Sequence, residues 1–539
     1  MVVRLSDPPL ALVAGNKRTG LRMTTALQQA YVQQLRAKQT ALMSQIAAQG
    51  GLEEGRLTKA SNALVVSIDR SKLKVLQGIP GVASVRGLLN YSLALSSVVP
   101  YVGATAVQTM GITGGGITVA VLDSGIDYTH KNLGGAGTTA AYVAAYGANP
   151  EAAQNKTRDG LFPTAKVING FDFVGESWPV GDLADDPDPI DLEGHGTHVA
   201  DIIAGKSLDG THKGVAPDAK LIAVKVCSAV ATNCSGLALL RGVDFALDPN
   251  GDGNIADAVD VMNLSVGSDF GTREDDLTEA LRIATKLGVV VVAAAGNGGN
   301  IPYIAGSPAT GPSIISVAET QVPTATTYSL LVTAPASIAG TYTNTATLEF
   351  APIGSGFSNG PVVFVGRGCP ADPPAGFPAD PYLTNPAGKV ALIDRGACNI
   401  SDKVDRAAKA GAIGVLIGLV APGDAVSFSR GGGDTFVPSL VITQGTANLI
   451  KSRLTEGATV LATVSPAQLF PLNQSMVSSS SRGPGYSYGS IKPDLGAPGA
   501  SLSAQAGTGS SETIFGGTSG AAPVVTGAAA LLLQTCPTC

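Results

Sequence analysis

At 539 residues the chain exceeds one ordinary domain and can bury a large core, with two or three domains as the expectation. A net charge of -6 and a pI near 5.3 leave no basic footprint, which argues against nucleic acid or an anionic membrane surface as a partner. Hydrophobic residues make up 44%, charged residues 14%, and 68 positions are glycine, pointing to buried strands and small-residue packing; no apolar run approaches the roughly 20 residues that span a bilayer.

Met1 to Gly15 carries one early arginine and a short apolar segment broken by Pro8 and Pro9, a poor match to a signal peptide. From Thr25 to Gln49, Leu27, Tyr31, Leu35, Leu42 and Ile46 recur at helical spacing. A strand at Ala63–Ile68, a helix at Ser71–Gln77 and a strand at Val82–Leu88 complete an α+β unit within residues 1–98. From Gly114, strands are expected at Ile117–Leu122, Lys220–Val226, Asp260–Val266, Val289–Ala295 and Ile314–Val317, with helices at Thr197–Ala204, Gly236–Ala246 and Arg273–Leu287. The last helix has Leu277, Leu281 and Ala284 on one face, acids at Glu274 to Asp276, Lys286 near its end and Gly288 as terminator. Continuous apolar strands alternating with helices predict an α/β fold, a mostly parallel sheet covered on both faces, with chemistry beyond the carboxyl ends of its strands.

Ser519 lies in Gly516-Gly517-Thr518-Ser519-Gly520-Ala521-Ala522-Pro523, a glycine-rich loop that runs into an apolar helix. A serine there is either a helix cap or a nucleophile, and the second reading needs a histidine to take its proton and a carboxylate to orient the histidine. The four histidines, His130, His195, His198 and His212, all precede Ser519. The elbow patterns GFSNG at Ser358 and GYSYG at Ser487 have no histidine after them and are discounted. The order that remains is Asp, His, Ser. Asp123 ends an apolar strand, and His195 sits between Gly194 and Gly196 at a helix start. His195 and His198 lack the glutamate of H-E-x-x-H, and His198 reads as structural. Asn297, between Gly296 and Gly298 at another strand end, offers an NH2 donor to the charge that acyl transfer develops.

Six cysteines form three sequence-local pairs, Cys227–Cys234, Cys369–Cys398 and Cys536–Cys539, expected as disulfides in an oxidising compartment. In DPNGDGN, Asp248, Asn250, Asp252 and Asn254 alternate as in the first half of a calcium loop. The twelfth position is Val259, not glutamate, though Asp257 and Asp260 are close, so an Asx-rich turn stands beside calcium as a reading.

The blocks VAVLDSGID, GHGTHVA, VMNLSVG, VVAAAGN and GTSGAAP, in this order, resemble the signature blocks of subtilisin-like serine peptidases (subtilases), over roughly Tyr101–Glu319 and Ser478–Leu533. The resemblance implies a triad of Asp123, His195 and Ser519, with Asn297 and the Ser519 backbone N–H as oxyanion donors. It implies Ser265, Val266 and Gly267 as a substrate-pairing strand, and Ala293, Ala294, Ala295 and Gly296 around an open pocket of broad specificity. Residues 99–320 and 467–539 are then the peptidase domain. Residues 1–98 are similar to an inhibitory propeptide, cut between Asn90 and Tyr101. Residues 321–466, with VVFVGRGCP, GKVALIDRGACNISDKVDRAAKAGAIGVLIG and VPSLVITQGTANLI, resemble a mainly β protease-associated (PA) domain. Two departures stand out: Gly520 replaces the usual methionine, which is expected to loosen the helix start, and the chain ends sooner after that helix than is usual. The expected protein is a secreted, monomeric endopeptidase made as a zymogen, acting on polypeptides, inhibited by its own propeptide and needing no cofactor for its chemistry; a structural calcium stands beside an Asx-rich turn as the reading of residues 248–254. A catalytically dead peptide-binding protein is the alternative, and the intact Asp123, His195, Ser519 and Asn297 weigh against it.

Overall fold

In a computed structural model of the chain, residues 2–8, 10–13, 15–16, 20–21, 23–58, 62–69, 72–86, 95–371, 378–487 and 489–536 are described. The chain falls into two compact units, Met1–Ser92 and Leu93–Cys539.

The first unit contains β1 (Val2–Leu5), α1 (Thr25–Ala47), β2 (Leu52–Leu57), β3 (Ala63–Ser67), α2 (Leu73–Gln77) and β4 (Val82–Arg86). The strands pair antiparallel in the order β2-β3-β1-β4. Val3, Leu64, Val66 and Val85 meet Leu42 and Ile46 of α1 and Leu76 of α2 in one core. The apolar start that reads as a poor signal peptide thus supplies an inner strand, β1. The end of the expected Val82–Leu88 strand, and residues 90–94 of the expected cleavage stretch, lie outside the described residues; Leu95–Tyr101 is a helix.

Past short helices at Leu95–Tyr101 and Ala104–Thr109, the second unit includes β5 (Thr118–Asp123), β6 (Val167–Asp172), α3 (His195–Ala204), β7 (Lys220–Lys225), α4 (Gly236–Leu247), β8 (Val261–Leu264), α5 (Asp276–Leu287), β9 (Val290–Ala294) and β10 (Ile315–Thr320). There follow β11 (Leu330–Ala334), β12 (Gly340–Tyr342), β13 (Thr345–Thr347), β14 (Phe357–Phe364), β15 (Val390–Asp394), α6 (Ile400–Lys409), β16 (Gly414–Gly418), β17 (Ser439–Ile442), α7 (Gln444–Thr455) and β18 (Leu461–Val464). The chain closes with β19 (Leu495–Pro498), β20 (Ser501–Ala504), β21 (Glu512–Phe515) and α8 (Thr518–Thr535).

The main sheet has seven strands in the order β19-β10-β9-β8-β5-β7-β6, every neighbouring pair parallel. Side chains alternate across it. Val119 and Val121 face a core with residues of α3 and α8, whereas Ala120 and Leu122 face a second core with residues of α4 and α5. This is the doubly covered α/β sheet that the apolar runs predict. Its edge strands β6 and β19 were hidden in the sequence, because VINGFD and LGAP carry the polar, Gly and Pro residues that edge positions tolerate. Helix α5 starts at Asp276, later than the expected Arg273, because the Asp275 carboxylate accepts from Thr278 N at 2.9 Å and sets the cap there.

A second sheet of eight strands runs β12-β11-β18-β14-β15-β16-β17-β13. Its centre, β14 to β17, is parallel, with α7 packing on one face and α6 on the other. From α6, the Lys403 Nζ donates to the carbonyls of Arg367, Asp394 and Gly396 at 2.6–2.8 Å, tying together the two loops that the Cys369–Cys398 disulfide joins.

Candidate active site

Three neighbouring strands deliver three polar groups to one end of the main sheet. Asp123 is the last residue of β5, Ser265 directly follows β8, and Asn297 lies just past β9. Strand β8 lies between the other two, with Asn263 opposite Val121 and Leu264 opposite Ala293. His195 and Ser519 come from the first turns of α3 and α8, which pack in one core. A Cβ on Gly196 would lie 2.2 Å from the Gly125 carbonyl oxygen, so glycine is what lets α3 begin against the loop after β5.

That approach puts His195 Nδ1 2.7 Å from Asp123 Oδ1. Burial pulls the imidazole pKa down, but the Asp123 charge and hydrogen bond, helped by Glu193 and Asp191, outweigh it and push the value up to about 9. The turn is braced by Asp191, which accepts from Gly194 N, Ser124 Oγ, Thr197 N and Thr197 Oγ1 at 2.6–3.0 Å. Phe515 of β21 meets the His195 ring edge-on and stacks on His198, with centroids 4.9 Å away in each case. His198 Nδ1 is engaged by Ser503 Oγ at 2.8 Å, which fits its structural reading.

Ser519 Oγ donates to the Ser265 carbonyl at 3.0 Å, and Ser265 Oγ donates back to the Ser519 carbonyl at 2.9 Å. No hydrogen bond joins Ser519 to His195 among the described residues; both line one cleft of about 880 Å³. Asn297 Oδ1 accepts from Thr518 N and Thr518 Oγ1, each at 3.0 Å. With the oxygen so held, the Asn297 NH2 keeps both protons unpartnered among the described residues. A Cβ on Gly520 would stand 2.0 Å from the Gly499 carbonyl oxygen, so glycine there admits a close approach of backbones.

Of the expected substrate residues, Ser265, Val266, Gly267, Ala294 and Gly296 line the cleft. Ala293 and Ala295 are fully buried, and Ala293 packs in the core shared with α4 and α5. Carboxylate oxygens of Asp248, Asp252 and Asp257 converge within 4.8 Å of one another. Within the loop, Asp248 accepts from Asp252 N and Gly253 N, Asp252 from Asn254 N, Asn250 from Asp252 N and Asn254 from Ala256 N, the pattern of an Asx-rich turn. Disulfides join Cys227 to Cys234 and Cys369 to Cys398; the third expected pair includes Cys539, outside the described residues. Reading the residues alone missed Asp191, whose near partners Gly194 and Thr197 are joined by the distant Ser124, and Phe515, whose two histidine partners lie far away in sequence.

A hydroxyl at a helix start, an imidazole fixed by a buried carboxylate and a free amide donor around one cleft make up a serine-hydrolase type of site. The sequence model of the Subtilase family matches residues 114–539, and the chain belongs to that family of serine-type endopeptidases. Its relatives include the minor extracellular protease Vpr of Bacillus subtilis (strain 168), 30% identical over 81% of this chain and 48% of that protein. The PII-type proteinase of Lacticaseibacillus paracasei is 28% identical over 99% of this chain and 28% of its own length. The subtilisin-like protease SBT3.16 of Arabidopsis thaliana is 27% identical over 88% and 62%. The chain spans about half or less of the first two. Among the described residues, no helix is long and apolar enough to cross a membrane.

Proposed function

We propose that the chain is a secreted serine endopeptidase, made as a zymogen, that hydrolyses polypeptides through an acyl-enzyme. The observation that carries this reading is the 2.7 Å contact of His195 Nδ1 with Asp123 at the cleft that Ser519 lines, which leaves Nε2 to take the serine proton. Rotation about χ1 of Ser519 moves its hydroxyl from the Ser265 carbonyl to Nε2, after which Oγ attacks the scissile carbonyl. His195 passes the proton to the leaving amine and then activates water for deacylation. Asp123 holds the Nδ1–H tautomer and stabilises the imidazolium. The Asn297 NH2 and the Ser519 N–H, an orphan donor at the start of α8, receive the developing oxyanion.

Ser265, Val266 and Gly267, just beyond β8, pair with extended substrate by main-chain hydrogen bonds. Residues 1–98 act as an inhibitory propeptide, and the second sheet as a PA-type insertion that governs access. Secretion is supported by two disulfides and by a relative named as extracellular. Asp248, Asp252 and Asp257 would hold a structural calcium that braces the loop before β8.

A fluorophosphonate probe tests the chemistry. Labelling of the processed protein that vanishes in Ser519→Ala supports the peptidase; no labelling of processed wild type leaves a peptide-binding protein instead.

A further inference from the structure

Pro523 lies in the second turn of α8 and has no N–H. The carbonyl it would have bonded, four residues back, belongs to Ser519. The nucleophile-bearing residue therefore carries a carbonyl that its own helix does not satisfy, and leaving such a group unpaired in a buried site is costly.

Ser265 Oγ fills the gap at 2.9 Å. A hydroxyl has one proton, so Ser265 keeps that orientation only if its other neighbour donates to it, and Asn263 Nδ2 does so at 3.0 Å. The Asn263 amide is oriented in turn by Thr526 Oγ1, which donates to Oδ1 at 2.7 Å. Asn263 and Thr526 are fully buried and Ser265 is 4% exposed. The three bonds run in one direction, from Thr526 through Asn263 and Ser265 to the Ser519 carbonyl. They tie α8 to β8 at two points two helical turns apart, on the same face of the helix. Asn263 has to accept on one side and donate on the other. A carboxylate of the same shape has no proton to give, and an aliphatic side chain has neither.

We propose that Asn263 and Thr526 are positioning residues for the nucleophile, acting through Ser265 on the main chain of Ser519, in a relay that Pro523 makes necessary. The proposal rests on the peptidase reading, because it assigns these groups a part in holding Ser519 for attack. Neither residue lines the cleft.

The test measures kcat, KM and melting temperature with a peptide substrate for wild type, Asn263→Asp, Thr526→Val and Thr526→Ser, each alone and with Pro523→Ala. Loss of one relay bond is expected to lower kcat roughly 10- to 100-fold for Asn263→Asp and several-fold for Thr526→Val, with KM within about twofold. Thr526→Ser keeps the hydroxyl and stays near wild type. Pro523→Ala restores an N–H for the Ser519 carbonyl, so it recovers most of the kcat lost in either variant. If Asn263→Asp does not fold, the Thr526 pair decides. Losses confined to KM, or kcat losses of equal size with and without Pro523→Ala, overturn the relay. Fluorophosphonate labelling of wild type separates the two failures: its absence removes the peptidase reading, whereas labelling without Pro523 coupling removes only the relay.

Discussion

Gly520 gives the most direct test of how the nucleophile is seated. A Cβ added there would lie 2.0 Å from the Gly499 carbonyl oxygen, whereas ordinary contact starts at 3.4 Å, so the two backbones must separate by over an ångström. Gly499 is not free to withdraw: its N–H donates to the Thr320 carbonyl of β10 at 3.3 Å, and it follows β19, which is paired to β10. The start of α8 moves instead and takes Ser519 with it. Overpacking of this kind costs about 1–3 kcal/mol. A displacement of about 1 Å at a reacting group lowers turnover by on the order of 100-fold. Gly520→Ala is therefore expected to melt a few degrees lower and to lose most of its kcat, and Gly520→Met, the residue usual in the family, to fare worse. Thermal scans and steady-state kinetics on purified protein check both. A Gly520→Ala protein that melts within about one degree of wild type, with kcat within about twofold, would refute the argument.

Because His195 is pushed up to about 9 and acts as a base only when neutral, kcat/KM should rise with pH through a limb near that value. Glu193→Gln removes one of the charges that raise it and moves the limb to lower pH; an unmoved limb would mean that the Glu193 charge is not felt. His212 lies between Asp201 Oδ1 at 2.9 Å and Glu512 Oε1 at 3.2 Å; burial alone would lower its pKa, but the two carboxylates push it up to about 9. A folded pKa above the unfolded value of about 6.5 means that the charged pairing contributes fully below that pH and is lost as pH rises through about 9. The melting-temperature gap between wild type and His212→Gln should shrink between pH 6 and pH 10, and a constant gap would count against it. If Asp248, Asp252 and Asp257 hold calcium, a chelator lowers the melting temperature of wild type and leaves Asp252→Asn unchanged. Equal melting of wild type with and without chelator argues for a plain turn.

The inner strands of the main sheet and the helices on its faces were legible because their residues carry their own signals: unbroken apolar runs, acids at the start of a helix, a Gly288 stop. Asp123, His195, Asn297 and Ser519 were legible because each sits where a strand ends or a helix begins, and because only one chain order of acid, base and nucleophile was open. What stayed hidden depends on which distant groups meet. Val2–Leu5 looks like a failed leader until β3 and β4 pair on either side of it. Gly520 looks like a weak helix former until the Gly499 carbonyl is placed against it.

Pro523 shows the same limit from the side of chemistry. The sequence states that one carbonyl of α8 loses its helical partner, and the register identifies it as that of Ser519. Which group replaces the partner depends on β8 lying beneath the helix start, with Ser265 just past its end, because Asn263 and Ser265 project from alternate positions of one extended segment. The polar side chain of Asn263, in the middle of a central parallel strand, costs stability there unless it is fully hydrogen-bonded, and Ser265 and Thr526 are what satisfy it. An apolar residue at 263 would be the cheaper choice for packing alone. Its replacement by an amide is the cost of holding the nucleophile's main chain from outside its helix.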